Sequence, residues 1–269
     1  MLKEHVLLMS TVYVSDIPDR KEFVTKIIQI YKQQLEKANT IFIKPNIVSL
    51  EPYPTTTHPE TLDAILTLLS NKDIIIGDGH AVDTGFTKNI LKNSPLKQIC
   101  DKHNLKLTNL YNKKMKKYTS PRGYTIKTST LPNECDYVIS LPVLKVHKQC
   151  GLSGALKNQF GYLSKLDRIL MHSKIKDIHK GIAEVNLANK TDLFIVDAIE
   201  TLTKAQECRH GGCKAKLNTM IAGTDPVALD TYGHKLLQNI DPTMKTNIKH
   251  LDYAQEYGLG TKSYKINKI

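Results

Sequence analysis

The feature that most constrains this chain is the alternation of short β-rich runs with amphipathic helical stretches along its length. Residues 6–14 are apolar and rich in valine. Residues 19–38 follow with Phe23, Ile27, Ile28, Ile30 and Tyr31 at roughly helical spacing. IFIKPN at 41–46 reads as a strand stopped by Pro45, and after a long loop residues 59–70 read as a helix. Thr57 and Glu60 have capping-box spacing there, and Pro59 suits a first helical turn. DIIIG at 73–77 is a strand, followed by a helix over 86–92 and a short strand over 106–109. YVISL at 137–141, DLFIV at 192–196 and TMIA at 219–222 are further strands. Helices are expected over 155–170, 175–188, 226–237 and 247–257.

Strands that alternate with helices build a mostly parallel central sheet with helices on both faces, which makes this an α/β chain. The runs III and FIV fit strands buried on both sides. With 269 residues, one α/β domain over 1–269 is expected, its halves forming intimate lobes at most. The basic stretch NKKMKKYTSPRG sits in a segment at about 111–130 that reads as a surface insertion or hairpin.

In open α/β sheets, ligands bind outside the carboxyl ends of the strands. Lys44 and Asn46 follow one strand, Asp78 and His80 another, Lys145 and His147 a third, Asp197 a fourth, and Thr224 and Asp225 a fifth. Polar residues at five such ends point to a shared site on one edge of the sheet. The connection from Pro142 to Gly154 is longer than the ~2–6 residues usual between strand and helix, and long connections are often functional. Gly151 and Gly154 let the backbone approach a ligand closely, and Ser153 can cap the next helix. The first turn of that helix, carrying Lys157 and Asn158, offers free N–H groups to a phosphate or carboxylate. The site is therefore expected to take a small anion, with Lys44, Asn46, His58, Gly154, Lys157, Asn158 and Asp225 binding it. Lys145, His147, Asp78 and Asp197 would do the chemistry. On extended backbone Lys145 and His147 share a face, and the nearby ammonium favours a neutral imidazole able to act as a base. The bland alternatives are a solvated loop for 142–154, helix capping for His58, and an N-cap for Asp225 before Pro226.

Asp78, Asp83, Asp197, Asp225 and Asp230 are oxygen ligands of the kind a divalent cation takes. The five cysteines include no C-x-x-C pair, and Cys208, His210 and Cys213 alone are a weak metal signal. An iron–sulfur cluster fits less well than a cation, because the bacterial cysteine run is absent. The formal net charge is +12, but the basic residues are spread along the chain. Nucleic acid is therefore the less favoured partner, and the solvated-loop account of KKMKK at 113–117 is preferred. No apolar run approaches the ~20 residues of a membrane helix, and the first residues lack a secretory cleavage pattern. A cytoplasmic protein with a small anionic partner and no membrane partner is expected, and the sequence leaves its oligomeric state open.

IFIKPNIV, TTTHPE, IIIGDG, ISLPVLKVH with GLSGALKNQFG, LFIVDAIE and IAGTDPVALD occur in this order. The ordered series resembles the family known as domain of unknown function 362, from about Ile41 to Tyr232. The resemblance marks Lys44, Asn46, His58, Asp78, Lys145, His147, Lys157, Asn158, Asp197, Asp225 and Asp230 as positions matching the family's motifs. Larger relatives add an iron–sulfur segment that this chain lacks. By that analogy, a metal-linked or iron–sulfur redox protein is the main alternative to an enzyme doing proton transfer on a carboxylate or phosphate. A basic nucleic-acid-binding protein is the other.

Overall fold

The computed structural model describes residues 9–15, 17–84 and 89–269. Its strands are β1 (Ser10–Ser15), β2 (Thr40–Pro45), β3 (Asp73–Asp78), β4 (Leu107–Asn109), β5 (Met115–Thr119), β6 (Thr125–Ser129), β7 (Tyr137–Leu141), β8 (Lys145–His147), β9 (Gly151–Ser153), β10 (Leu193–Thr203), β11 (Cys213–Gly223) and β12 (Tyr264–Lys268). Its helices are α1 (Arg20–Ile30), α2 (Lys32–Lys37), α3 (Pro59–Leu68), α4 (Pro95–Lys102), α5 (Ala155–Asn158), α6 (Lys165–His172), α7 (Ile178–Ala188), α8 (Pro226–Ile240) and α9 (Lys249–Glu256). Eight strands form one sheet in the order β12-β1-β11-β10-β7-β2-β3-β4. All its pairings are parallel except those of β11, which runs against both β1 and β10.

Side chains alternate across each strand, and both faces of this sheet are apolar. Phe42, Val138, Phe194 and Val196 point into one core, which α7, α8 and α9 cover with Ile182, Val185, Val227, Leu237 and Leu251. Ile41, Ile43, Ile139 and Ile195 point into the other, covered by Phe23 and Ile27 of α1, Leu62 and Ile65 of α3, and Leu96 of α4. Burial on both faces is what turns III and FIV into unbroken apolar runs. No helix among the described residues is long and apolar enough to cross a membrane.

Several elements differ from the sequence expectation. The strand expected over 6–14 is observed from Ser10, and residues 6–8 lie outside the described residues. Most of the helix expected over 86–92 falls on 85–88, which also lie outside them, and residues 89–93 form turns. The single helix expected over 155–170 is broken. A 3-10 turn follows α5, and Ser164 then caps α6 by accepting the Asp167 N–H. Gly161 lies in that turn against Asp78 and Lys44, where a Cβ would collide with both side chains. DLFIV and TMIA are parts of the longer antiparallel pair β10–β11. β12 was not expected, since its residues are largely exposed and carry no apolar run. The long connection after β7 contains a small antiparallel hairpin, β8–β9, which carries Lys145 and His147. Residues 115–129 form a second hairpin, β5–β6.

Candidate functional site

Because β7, β2 and β3 are neighbours and parallel, their carboxyl ends open on one edge of the sheet. A cavity of about 310 Å³ lies there. β2 and the turn after it contribute Lys44, Asn46 and Ile47, and β3 contributes Asp78. The β8–β9 hairpin adds Lys145, His147 and Ser153. Lys157 and Asn158 come from α5, and Arg168 and His172 from α6. Residues 81–83, Gln206, Glu207 and His210 are also part of its lining.

Lys44 and Asp78 form a buried ion pair at 2.6 Å. The Lys44 Nζ also donates to the Pro45 carbonyl at 2.8 Å. The Asp78 carboxylate accepts the N–H groups of Ile47 at 2.6 Å and Gly79 at 2.7 Å. Both charges are thus met within the protein, and the pair ties the ends of two strands together. Burial pulls the Lys44 pKa down, while the Asp78 charge opposes that. Asn46 donates its N–H to Thr57 Oγ1 at 2.7 Å, and Thr57 in turn donates to the Leu141 carbonyl at 2.6 Å. Thr57 therefore ties the loop to β7. The N-cap of α3 is His58, whose Nδ1 accepts the Glu60 N–H at 3.2 Å, in place of the expected Thr57–Glu60 box.

Besides the exposed Lys148, three other cations line the cavity without a carboxylate partner among the described residues. The Lys145 Nζ donates to Asn46 Oδ1 at 3.0 Å and to the Thr55 carbonyl. Burial lowers its pKa to about 7. The Lys157 Nζ rests 3.8 Å from the centre of the Phe160 ring, and burial lowers its pKa to about 8. Arg168 donates to the Gly79 carbonyl at 2.7 Å and to Tyr111, and its buried Nε is unpartnered. An uncompensated buried cation is costly, and a bound anion relieves that cost. Asn158 donates to Ser140 Oγ at 2.9 Å, leaving its buried Oδ1 without a partner.

His147 Nδ1 accepts the N–H groups of Gln149 at 3.2 Å and Cys150 at 3.3 Å. That fixes the proton of the neutral ring on Nε2. Burial and the Lys157 charge hold its pKa well below the ordinary histidine value. In this tautomer the ring offers a hydrogen-bond donor, and its free lone pair is already used by the backbone. His172 stacks on it with ring centres 6.3 Å apart, at the exposed mouth of the cavity.

The helix N-terminus expected to seat the anion is already occupied. Asp230, buried on α8, accepts the N–H groups of Ala155 at 2.6 Å and Leu156 at 3.0 Å. Burial raises its pKa to about 7. Gly154 faces this carboxylate instead of the cavity, and a Cβ there would overlap it. Ligand charge in the cavity must therefore be met by side chains.

Three other expected residues lie outside the cavity. Asp197 is inside β10, which continues to Thr203, so it does not end a strand. It pairs with Arg20 at 2.7 Å and accepts from the Tyr53 hydroxyl at 2.6 Å. His58 packs edge-on against Tyr53 with ring centres 5.0 Å apart. Asp225 follows the antiparallel strand, which puts it at the opposite edge of the sheet. There it caps α8 through Val227 at 2.8 Å and Ala228 at 2.9 Å, and binds the Thr261 N–H. The aspartates considered as cation ligands are consequently scattered. A different set, Asp83, Glu207 and His210, brings ligand atoms within 4.8 Å of one another at the cavity rim. Arg209 already bridges both of its carboxylates, at 2.8 Å to Glu207 and 3.0 Å to Asp83. Cys208 and Cys213 are free and exposed.

Arg168, His172, Lys148 and Glu207 line the cavity without having stood out in the sequence. Arg168 and His172 are one helical turn apart, and Lys157 lies three turns before Arg168. That spacing was the available signal in the single helix expected there, although the break between α5 and α6 means it is not a continuous helical repeat.

The family model of the domain of unknown function (DUF362) matches residues 41–235, more than half of the chain. No curated protein matches the sequence. Among solved structures, the lactate racemase apoprotein from Thermoanaerobacterium thermosaccharolyticum superposes with a TM-score of 0.55 at 15% identity, covering 85% of this chain and 57% of that one. A protein from Thermotoga maritima gives a TM-score of 0.45 at 12% identity, covering 84% of this chain and 58% of that one. The first likeness is one of α/β fold, and the chain spans less than two thirds of the length of either neighbour.

Proposed function

This chain belongs to the domain of unknown function (DUF362) family, and from there we propose that it is an enzyme that binds a small carboxylate or phosphate and moves a proton beside it. The observation that carries this reading is the set of three cations, Lys145, Lys157 and Arg168, that share one cavity with no carboxylate partner among the described residues. Burying such charges in a small space is unfavourable unless the ligand is an anion. Lys157 and Arg168 hold the anion, and the Nε2–H of His147 orients it. Lys145, with a pKa of about 7, is the group whose proton moves at neutral pH. Lys44 and Asp78 shape the floor. One structure of similar fold is described as a lactate racemase. Lactate is a small carboxylate, the ligand class that the cations favour here.

The test is a thermal-shift screen of small carboxylates and phosphates, followed by deuterium wash-in at the carbon next to the anion of any ligand found. Stabilisation of the native protein, lost in Lys157→Met, and Lys145-dependent deuterium exchange are expected. A screen without any stabilising anion, or equal stabilisation of Lys157→Met, removes the reading.

A further inference from the structure

We infer that Lys145 is a nucleophile that forms a Schiff base, and that the cavity takes a small 2-oxo acid whose carboxylate is held by Lys157. The inference rests on the anion-site reading above and adds a covalent step to it.

Lys44 and Lys145 are both buried in the walls of one cavity, at 0% and 1% exposure. Lys44 has a carboxylate at 2.6 Å and is built as an ammonium ion. Lys145 has two neutral acceptors, Asn46 Oδ1 and the Thr55 carbonyl. The acidic groups nearest in effect to Lys145 are engaged elsewhere. Glu207 is paired with Arg209, Glu51 accepts the N–H groups of Cys208 and Arg209, and Asp78 is paired with Lys44. A neutral amine has two N–H bonds and one lone pair. Two acceptors, and no counter-ion among the described residues, are the partners such an amine needs, and they leave the lone pair unengaged. Lys157 adds a like charge nearby, which further favours the neutral form. Desolvation beside a second cation is how a lysine becomes nucleophilic near neutral pH. The depressed pKa, about 7, agrees with this arrangement.

In a 2-oxo acid the carbonyl and the carboxylate sit on adjacent carbons, so one ligand can meet the amine and the ammonium together. The Lys145 Nζ lone pair attacks the keto carbon, a C–N bond forms, and the carbonyl oxygen takes a proton to become a hydroxyl. The C–O bond then breaks, and the oxygen leaves as water with both hydrogens that the amine gave up. The C=N bond, protonated by solvent, draws electrons from the neighbouring carbon and acidifies its C–H. In pyruvate that C–H belongs to the methyl group, one carbon further from the carboxylate than the position assigned above, so the adduct adds a second exchangeable site. The Nε2–H of His147, two residues along the same strand, is a donor suited to the departing oxygen.

The full chain is incubated with pyruvate or glyoxylate and sodium cyanoborohydride near pH 7.5, then mapped by peptide mass spectrometry. A reduced adduct on Lys145, at least tenfold above any other lysine, is expected. Lys44 should stay unmodified, and Lys157→Met should lower the yield at limiting ligand about tenfold, as the loss of one charge contact. Mapping of the unaltered protein needs no variant that might misfold. An adduct spread over exposed lysines overturns the inference. If pyruvate stabilises the protein but leaves no Lys145 adduct, the covalent step falls while the anion site stands. If no small carboxylate or phosphate stabilises it, both fall.

Discussion

Asp78 sits where the Lys44 charge requires it, and removing it tests how that pair is balanced. Asp78→Asn leaves a fully buried ammonium without its counter-ion, so a loss of about 3–5 kcal/mol is expected in urea unfolding. Lys145→Met removes a cation that has no carboxylate beside it, and its cost should be clearly smaller. Ligand binding carries a pH signature of the same origin. Burial lowers the pKa of Lys145 to about 7 and of Lys157 to about 8, and an anion that forms no adduct, such as phosphate, is attracted only by their protonated forms. Below pH 7 both are charged and affinity is at its plateau. As pH rises through 7 and then 8 the charges are lost, and Kd should increase by up to about tenfold per unit. Calorimetry in buffers of different ionisation enthalpy should show proton uptake on binding near pH 7.5. No uptake, with a flat Kd from pH 6 to 9, would contradict the assignment of both lysines.

At the scale of elements, strand direction decided which residues met. Lys44, Asn46, Asp78, Lys145, His147, Lys157 and Asn158 were legible because local patterns placed them at the ends of β2 and β3 or in the long connection and helix that follow β7, and these three strands are parallel neighbours. Asp225 looked the same in sequence. Its strand, β11, is as apolar at its end as its neighbours, and an apolar run carries no sign of the direction it will take in a sheet. Asp197 lies outside the cavity because DLFIV continues into a longer strand whose later residues are mixed in character. Arg168 and His172 were missed because the sequence shows no helix stop at Gly161 until Asp78 and Lys44 are packed against it. Two substitutions separate the edges of the sheet. Asp225→Ala removes an N-cap and the bonds to Ser10 and Thr261, and should destabilise by about 1–2 kcal/mol while leaving anion-induced stabilisation intact. Ser164→Ala weakens the cap that starts α6 by about 1 kcal/mol. Because α6 carries Arg168 and His172, it should also weaken anion binding. Equal effects of the two variants on ligand stabilisation would contradict this division.

For the molecule as a whole, acid is the expected weak point. His250 is fully buried with neither ring nitrogen bonded among the described residues, and burial lowers its pKa to about 3. His147 is shifted the same way. A histidine whose folded pKa is depressed binds its proton more readily in the unfolded chain. Stability is then fully present above about pH 6.5 and falls as the pH drops toward the folded value, by about 1.4 kcal/mol per unit for each such group. Urea midpoints measured from pH 7.5 to 4.5 should decline, and His250→Leu should flatten the decline by one histidine's share. An unchanged slope in that variant would show that the ring is not neutral in the fold. Asp230 has a wider consequence. By filling the amides of α5, it takes the backbone donors away from the cavity and leaves side chains to meet the ligand. Such a receptor grades its guests by charge and size more than by the angles of their oxygens. On the proposed anion-site reading, promiscuity among small anions is expected, and so is competition from chloride and sulfate in ordinary buffers, which would hide weak substrates from any assay run in concentrated salt.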